Sequence, residues 1–175
     1  MFKLIVEQDE HAFDPREEGY MDHFGTMVCF HGRYNLGDKD HGFDTPQDFE
    51  YFCNKDVVRL PLYLYDHSGI TMNTTGFTCP WDSGQVGYIY VTKEKIREEF
   101  NAKRITKKLI EKAKNILLAE VTEYDNYLVG NVFGYRIIEV DKDGDEVNEV
   151  EACWGFIGDE EYCRKEGEEA LKNIA

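Results

Sequence analysis

Cys79 and His67, with Asp66 and Asp82 close by in the chain, are the residue types from which a nucleophilic cysteine site is built. The thiolate is the reactive form, so Cys79 would need a proton acceptor or a positive charge beside it. The ordinary alternative is that Cys79-Pro80-Trp81 marks a buried turn with the thiol acting as a small hydrophobe; no catalytic residue is assigned. Cys29, His31, His41 and His23 could furnish metal ligands, with Cys29 and His31 sharing one face of a strand. No HExxH, CxxC or HxH spacing occurs, so these read as residues of a polar, turn-rich segment, and no metal or cofactor is expected. Asp141-Lys142-Asp143-Gly144-Asp145-Glu146 imitates a calcium loop, but its glycine stands fourth instead of sixth and position twelve is Ala152. That run is a hairpin turn. The glycines form neither a P-loop nor a dinucleotide fingerprint.

A broader constellation joins two turn-rich segments: Arg33, Asn35 and Asp38 in the first, Asp66, His67, Trp81 and Asp82 in the second. Polar and aromatic residues on loops held by a rigid scaffold are where small-molecule sites form. A small cytosolic enzyme or ligand-binding domain is one reading. The other is that these residues knit long loops together, Arg33 pairing with Asp38 or Asp82.

Charge supplies a different chemistry. The net charge is −15, unevenly spread: −9 over residues 1–90, +5 over 91–118 and −11 over 119–175. A basic helical segment therefore sits inside a strongly acidic chain. Lysines on the outer face of a helix are usually solvated and pair with nearby glutamates, and the surrounding acid opposes direct nucleic-acid binding. Acid on this scale favours basic protein surfaces instead. Carboxylates arrayed on a rigid surface can imitate phosphates. The obvious supply is Asp141, Asp143, Asp145 and Glu146 in the turn, and Glu160, Glu161, Glu168 and Glu169 near the end.

The elements that must position these groups are legible in the pattern. FKLIVE (2–7) reads as a strand, residues 8–24 as an acidic surface loop or irregular segment, and TMVCFH (26–31) as a short strand. Thr45-Pro46, followed by Asp48, starts a short helix. Residues 57–66 and 85–92 form two central strands, with a short one near 70–74 between them. Thr92 caps a helix that breaks near Asn101. A long amphipathic helix then covers about 106–128, its apolar stripe running from Ile105 through Leu117 to Leu128, and Gly130 stops it. A hairpin, 132–140 and 147–156, precedes a C-terminal helix from about Asp159 with Tyr162, Cys163, Ala170, Leu171 and Ile174 inside. Strands and helices mix without a βαβ rhythm, so the fold class is α+β, mainly an antiparallel sheet, in a single domain over residues 1–175. Five scattered cysteines read as reduced thiols. The opening MFKLIVEQDEHAF is too acidic for a signal peptide, and no apolar run reaches the ~20 residues of a membrane span. The expected setting is the cytoplasm, with no membrane partner.

FHGRYNLGD (30–38), LPLYLYDHSG (60–69), CPWDSGQVGYIYVTKEK (79–95), YDNYLVGNVFGY (124–135) and CWGF (153–156) together resemble a family of small proteins encoded by bacteriophages and prophages. The resemblance spans most of the chain and implies no established reaction, ligand or catalytic residue. It implies a mobile genetic element acting in a bacterial cytoplasm. Small acidic phage proteins are similar in type to anti-restriction and anti-CRISPR inhibitors. By that analogy of charge and context, the expected partner is the basic surface of a host nucleic-acid-targeting defence complex.

Overall fold

Alternation of apolar and polar residues builds two antiparallel sheets in an α+β chain. The computed structural model describes residues 1–17, 19, 21–53 and 56–174. Two compact units emerge, one formed by residues 15–125 and the other by 1–14 with 126–175, the boundary falling inside the long helix.

In the first unit, β2 (Thr26–Cys29), β3 (Val57–Asp66), β4 (Ile70–Asn73) and β5 (Ser83–Thr92) form a sheet in the order β2-β5-β3-β4. The two long strands are central and the edges are only four residues long, which leaves little unpaired backbone to recruit another strand. Gly87 pairs with Cys29 on one side and Leu62 on the other, and a Cβ there would collide with the Val28 carbonyl. One face of β5 carries Ile89 and Val91, both buried. The other carries Tyr88, which stacks on Phe49 of α1 (Pro46–Phe52), and Tyr90, which packs tilted against Phe49 and edge-on against Phe43 and Phe52. The expected capping box starts α1: Asp48 N donates to Thr45 Oγ1, and Thr45 N donates to Asp48 Oδ2. Thr92 caps α2 (Lys93–Glu99), and Asn101, at φ +46°, ends the segment before α3 (Lys107–Leu128).

The apolar stripe of α3 buries Ala113, Leu117, Val121 and Tyr124, but the helix is pinned by polar groups from the same side. Glu120 accepts from Phe24 N at 2.6 Å and from Gly25 N at 3.0 Å. Tyr124 Oη accepts from Gly37 N, and Asp125 Oδ1 accepts from Thr71 Oγ1 and Met72 N. The segment expected to be a surface loop or irregular segment, residues 8–24, is not wholly at the surface: Pro15 and Arg16 are buried, while Glu18 and Tyr20 lie outside the described residues. Arg16 Nη1 donates to Gly25 O and Asp38 Oδ1, and Nη2 donates to Glu120 Oε2 at 2.9 Å. A buried guanidinium thus ties the loop to α3, its charge balanced by two carboxylates.

In the second unit, β1 (Phe2–Gln8), β6 (Val132–Val140) and β7 (Glu146–Ile157) form a sheet in the order β1-β6-β7. α4 (Glu160–Ile174) covers one face, where Cys163 meets Tyr135 and Ile137, with Leu4, Val6, Phe133, Phe156, Ala170, Leu171 and Ile174 around them. Gly167 allows the close approach, since a Cβ there would press on Leu4 and Tyr135. Tyr162, expected inside, is half exposed, with its ring edge-on to Phe156 and its side chain hydrogen-bonded to Glu166. Three register shifts along β6–β7 make β7 a bulged strand, with every residue from Glu146 to Trp154 exposed.

Candidate functional site

The loops at the β3 and β5 ends bring most of the mixed constellation together. Asp66 N donates to Asp82 O at 2.8 Å, fixing the two acids side by side. Arg33 Nη1 lies 2.9 Å from Asp66 Oδ2, and Tyr34 Oη donates to Asp66 Oδ1 at 3.2 Å. Arg33 therefore pairs with Asp66, not with Asp38 or Asp82 as expected. His67 Nδ1 is 3.2 Å from Asp82 Oδ2, and Cys79 Sγ donates to the same oxygen at 3.7 Å. Thiol and imidazole thus turn to the same Asp82 oxygen, and among the described residues no hydrogen bond joins Cys79 to His67 as a cysteine nucleophile and its base would need. Ser83 Oγ donates to the Cys79 carbonyl, which fixes the turn. Trp81 is not buried in it: the residue is 91% exposed. Asp38 belongs elsewhere, accepting from Met27 N and Arg16 around the buried guanidinium. Asn35 is exposed.

The histidines weighed as metal ligands serve loop geometry. His31 Nδ1 accepts from Arg33 N and Tyr34 N, His41 Nδ1 accepts from Phe43 N, and His23 Nε2 contacts Pro15 O. Among the described residues no group of three or more His, Cys, Asp or Glu is arranged to hold a metal ion. Burial above all, then the Asp38 carboxylate, pushes the Cys29 thiol up from 9.0 to about 12. Folding therefore retains a proton that the unfolded thiol releases. This contribution to stability is complete below about pH 9 and is lost as pH rises toward 12. Urea unfolding across that range should give a falling midpoint, and Cys29→Ala should flatten the decline. An unchanged slope in that variant would assign the effect to other groups.

No family model, curated protein or solved structure matches the chain. The unit of residues 1–14 and 126–175 holds six Lys/Arg against seventeen Asp/Glu, a net of −11, whereas residues 15–125 hold fourteen against eighteen, a net of −4. All eight acids singled out from the sequence lie in the first of these, and all are exposed. They do not form one row. Asp141 accepts from Asp143 N and Asp145 N and so shapes the turn. Glu146 lies 2.6 Å from Arg136 Nη2, and Glu160 is paired with Arg164. The ladder register puts the turn at the Val140–Glu146 end and the start of α4 beyond the Val132–Ile157 end. At roughly 3.3 Å per residue, those ends are about 25 Å apart. Asp143, Asp145, Glu161, Glu168 and Glu169 form no ion pair among the described residues and are the carboxylates most open to a partner.

In the basic segment, Lys114 pairs with Glu111 and Lys112 sits 4.1 Å above the Phe100 ring. Lys107 and Lys108 form no ion pair among the described residues. Among the described residues no helix is long and apolar enough to cross a membrane.

Proposed function

We propose that the chain is a phage-encoded accessory protein that binds and inhibits a host nucleic-acid-targeting defence complex, of anti-CRISPR or anti-restriction type, through the acidic surface of the unit made by residues 1–14 and 126–175. The observation that carries this reading is the concentration of charge: −11 of the total −15 resides there, and its acids Asp141, Asp143, Asp145, Glu146, Glu160, Glu161, Glu168 and Glu169 are exposed on the hairpin and helix. Such a surface attracts a groove evolved for phosphates and repels nucleic acid itself. The resemblance to phage and prophage proteins supplies the setting, a bacterial cytoplasm. The test is an affinity pull-down of tagged protein from phage-infected lysate, eluted in salt steps and read by mass spectrometry. A nuclease or CRISPR subunit released at moderate salt supports the reading; recovery of acidic or no partners opposes it.

One observation favours a second reading, a small enzyme or ligand-binding domain. Arg33 and His67 present exposed side chains, 72% and 63%, above the more recessed Asp66 and Asp82, beside the fully exposed Trp81. Donors and an indole outward, with acids behind them, suit a small anionic aromatic ligand. In a thermal-shift screen, such a ligand should raise the midpoint of the wild-type protein and not of Arg33→Ala. No shift with any anionic aromatic compound would leave these residues as loop ties.

A further inference from the structure

β7 is exposed from Glu146 to Trp154 and carries apolar residues there. Val147 is 62% exposed, Val150 42% and Trp154 44%, on a strand whose outer edge pairs with no other strand of its sheet. The indole has a built seat. Trp154 lies on Gly134 of β6, where a Cβ would collide with the ring, so the absence of a side chain holds the tryptophan flat on the sheet. Arg136, two residues on, projects to the same face and gathers Glu149 at 2.5 Å and Glu146 at 2.6 Å. An anchored aromatic is thus set beside oriented carboxylates, the arrangement of an interface centre with its polar rim.

Resting on the function proposed above, we infer that this face of β7 is the contact centre, and that it takes a cationic protein surface bearing aromatic side chains. Charge complementarity selects that occupant: on this face Glu7, Glu146 and Glu149 outnumber Arg136 three to one, and a second copy would set these acids against their like. Grooves that bind single-stranded nucleic acid combine basic side chains with aromatic stacking platforms, so one surface would meet both the indole and the carboxylates.

The test uses two dye-labelled peptides of equal charge, an Arg-Tyr repeat and an Arg-Gly repeat, titrated into the full chain and into Trp154→Ala and Trp154→Phe. Wild-type protein should prefer Arg-Tyr by roughly 2- to 10-fold, the worth of an aromatic contact. Trp154→Ala should lose the preference yet keep salt-sensitive binding to both peptides, and Trp154→Phe should retain part of it. In Trp81→Phe protein, where Trp154 is the remaining tryptophan, its emission should shift when Arg-Tyr is added. An unchanged preference in Trp154→Ala, or a silent Trp154, overturns the inference while the acidic-surface reading stands. Failure of wild-type protein to bind either peptide overturns both. An emission shift on raising protein concentration alone would show a second copy on this face and also overturn it.

Discussion

Glu120→Ala is expected to lower the unfolding free energy by about 3–5 kcal/mol, the range for breaking a buried ion pair from one side. The side chain of Arg16 is 1% exposed, and Glu120 is its closer acid, at 2.9 Å against 3.4 Å for Asp38. Removing the Glu120 carboxylate leaves a buried guanidinium short of its counter-charge. It also strips the acceptor from the part-buried Phe24 N and Gly25 N. Glu160→Gln is the matched control. Its pair with Arg164 is half exposed on both sides and should be worth under about 1 kcal/mol. Urea unfolding followed by circular dichroism compares the two. A Glu120→Ala loss no larger than the control would contradict the burial of this network.

The second large effect is on binding. Reversing Asp143, Asp145, Glu168 and Glu169 to lysine should weaken association with a basic partner by roughly 30- to 1000-fold, taking about 0.5–1 kcal/mol for each exposed charge. The fold should tolerate it, since surface changes of this kind move stability by about 0.5 kcal/mol or less each. The loss should shrink as salt is added, because exposed charges are screened within about 8–10 Å at physiological ionic strength. Affinity measured at two salt concentrations checks both statements. Equal binding by the reversed protein would move the interface to another surface.

Local pattern carried much of the fold. Alternation located the long central strands, Thr45-Pro46 and Asp48 marked the start of α1, and the apolar stripe placed α3. Each of these signals lies within a few residues. What stayed hidden depends on distant partners. Arg16 looks like one more charge in an acidic turn-rich segment, and its partner Glu120 is 104 residues away. Nothing local says that β1 pairs with β6 rather than β2, so two sheets could not be told from one. The site divides in the same way. Arg33, Asp66, His67 and Asp82 do meet, because two short loops at one sheet end carry them, but which acid Arg33 takes is set by loop geometry. Trp154 was legible only as a strand aromatic. A glycine opposite an exposed tryptophan was the available signal, and it needs the register to be seen.

The most direct measurement is displacement. Labelled target DNA is bound to a purified bacterial CRISPR or restriction complex, and the chain is titrated in while bound DNA is followed by anisotropy. Release of the DNA at low salt, suppressed at high salt and absent with the four-lysine protein, is the predicted result. DNA that stays bound at saturating protein, or is released equally well by the charge-reversed chain, would contradict an acidic surface that takes the place of nucleic acid.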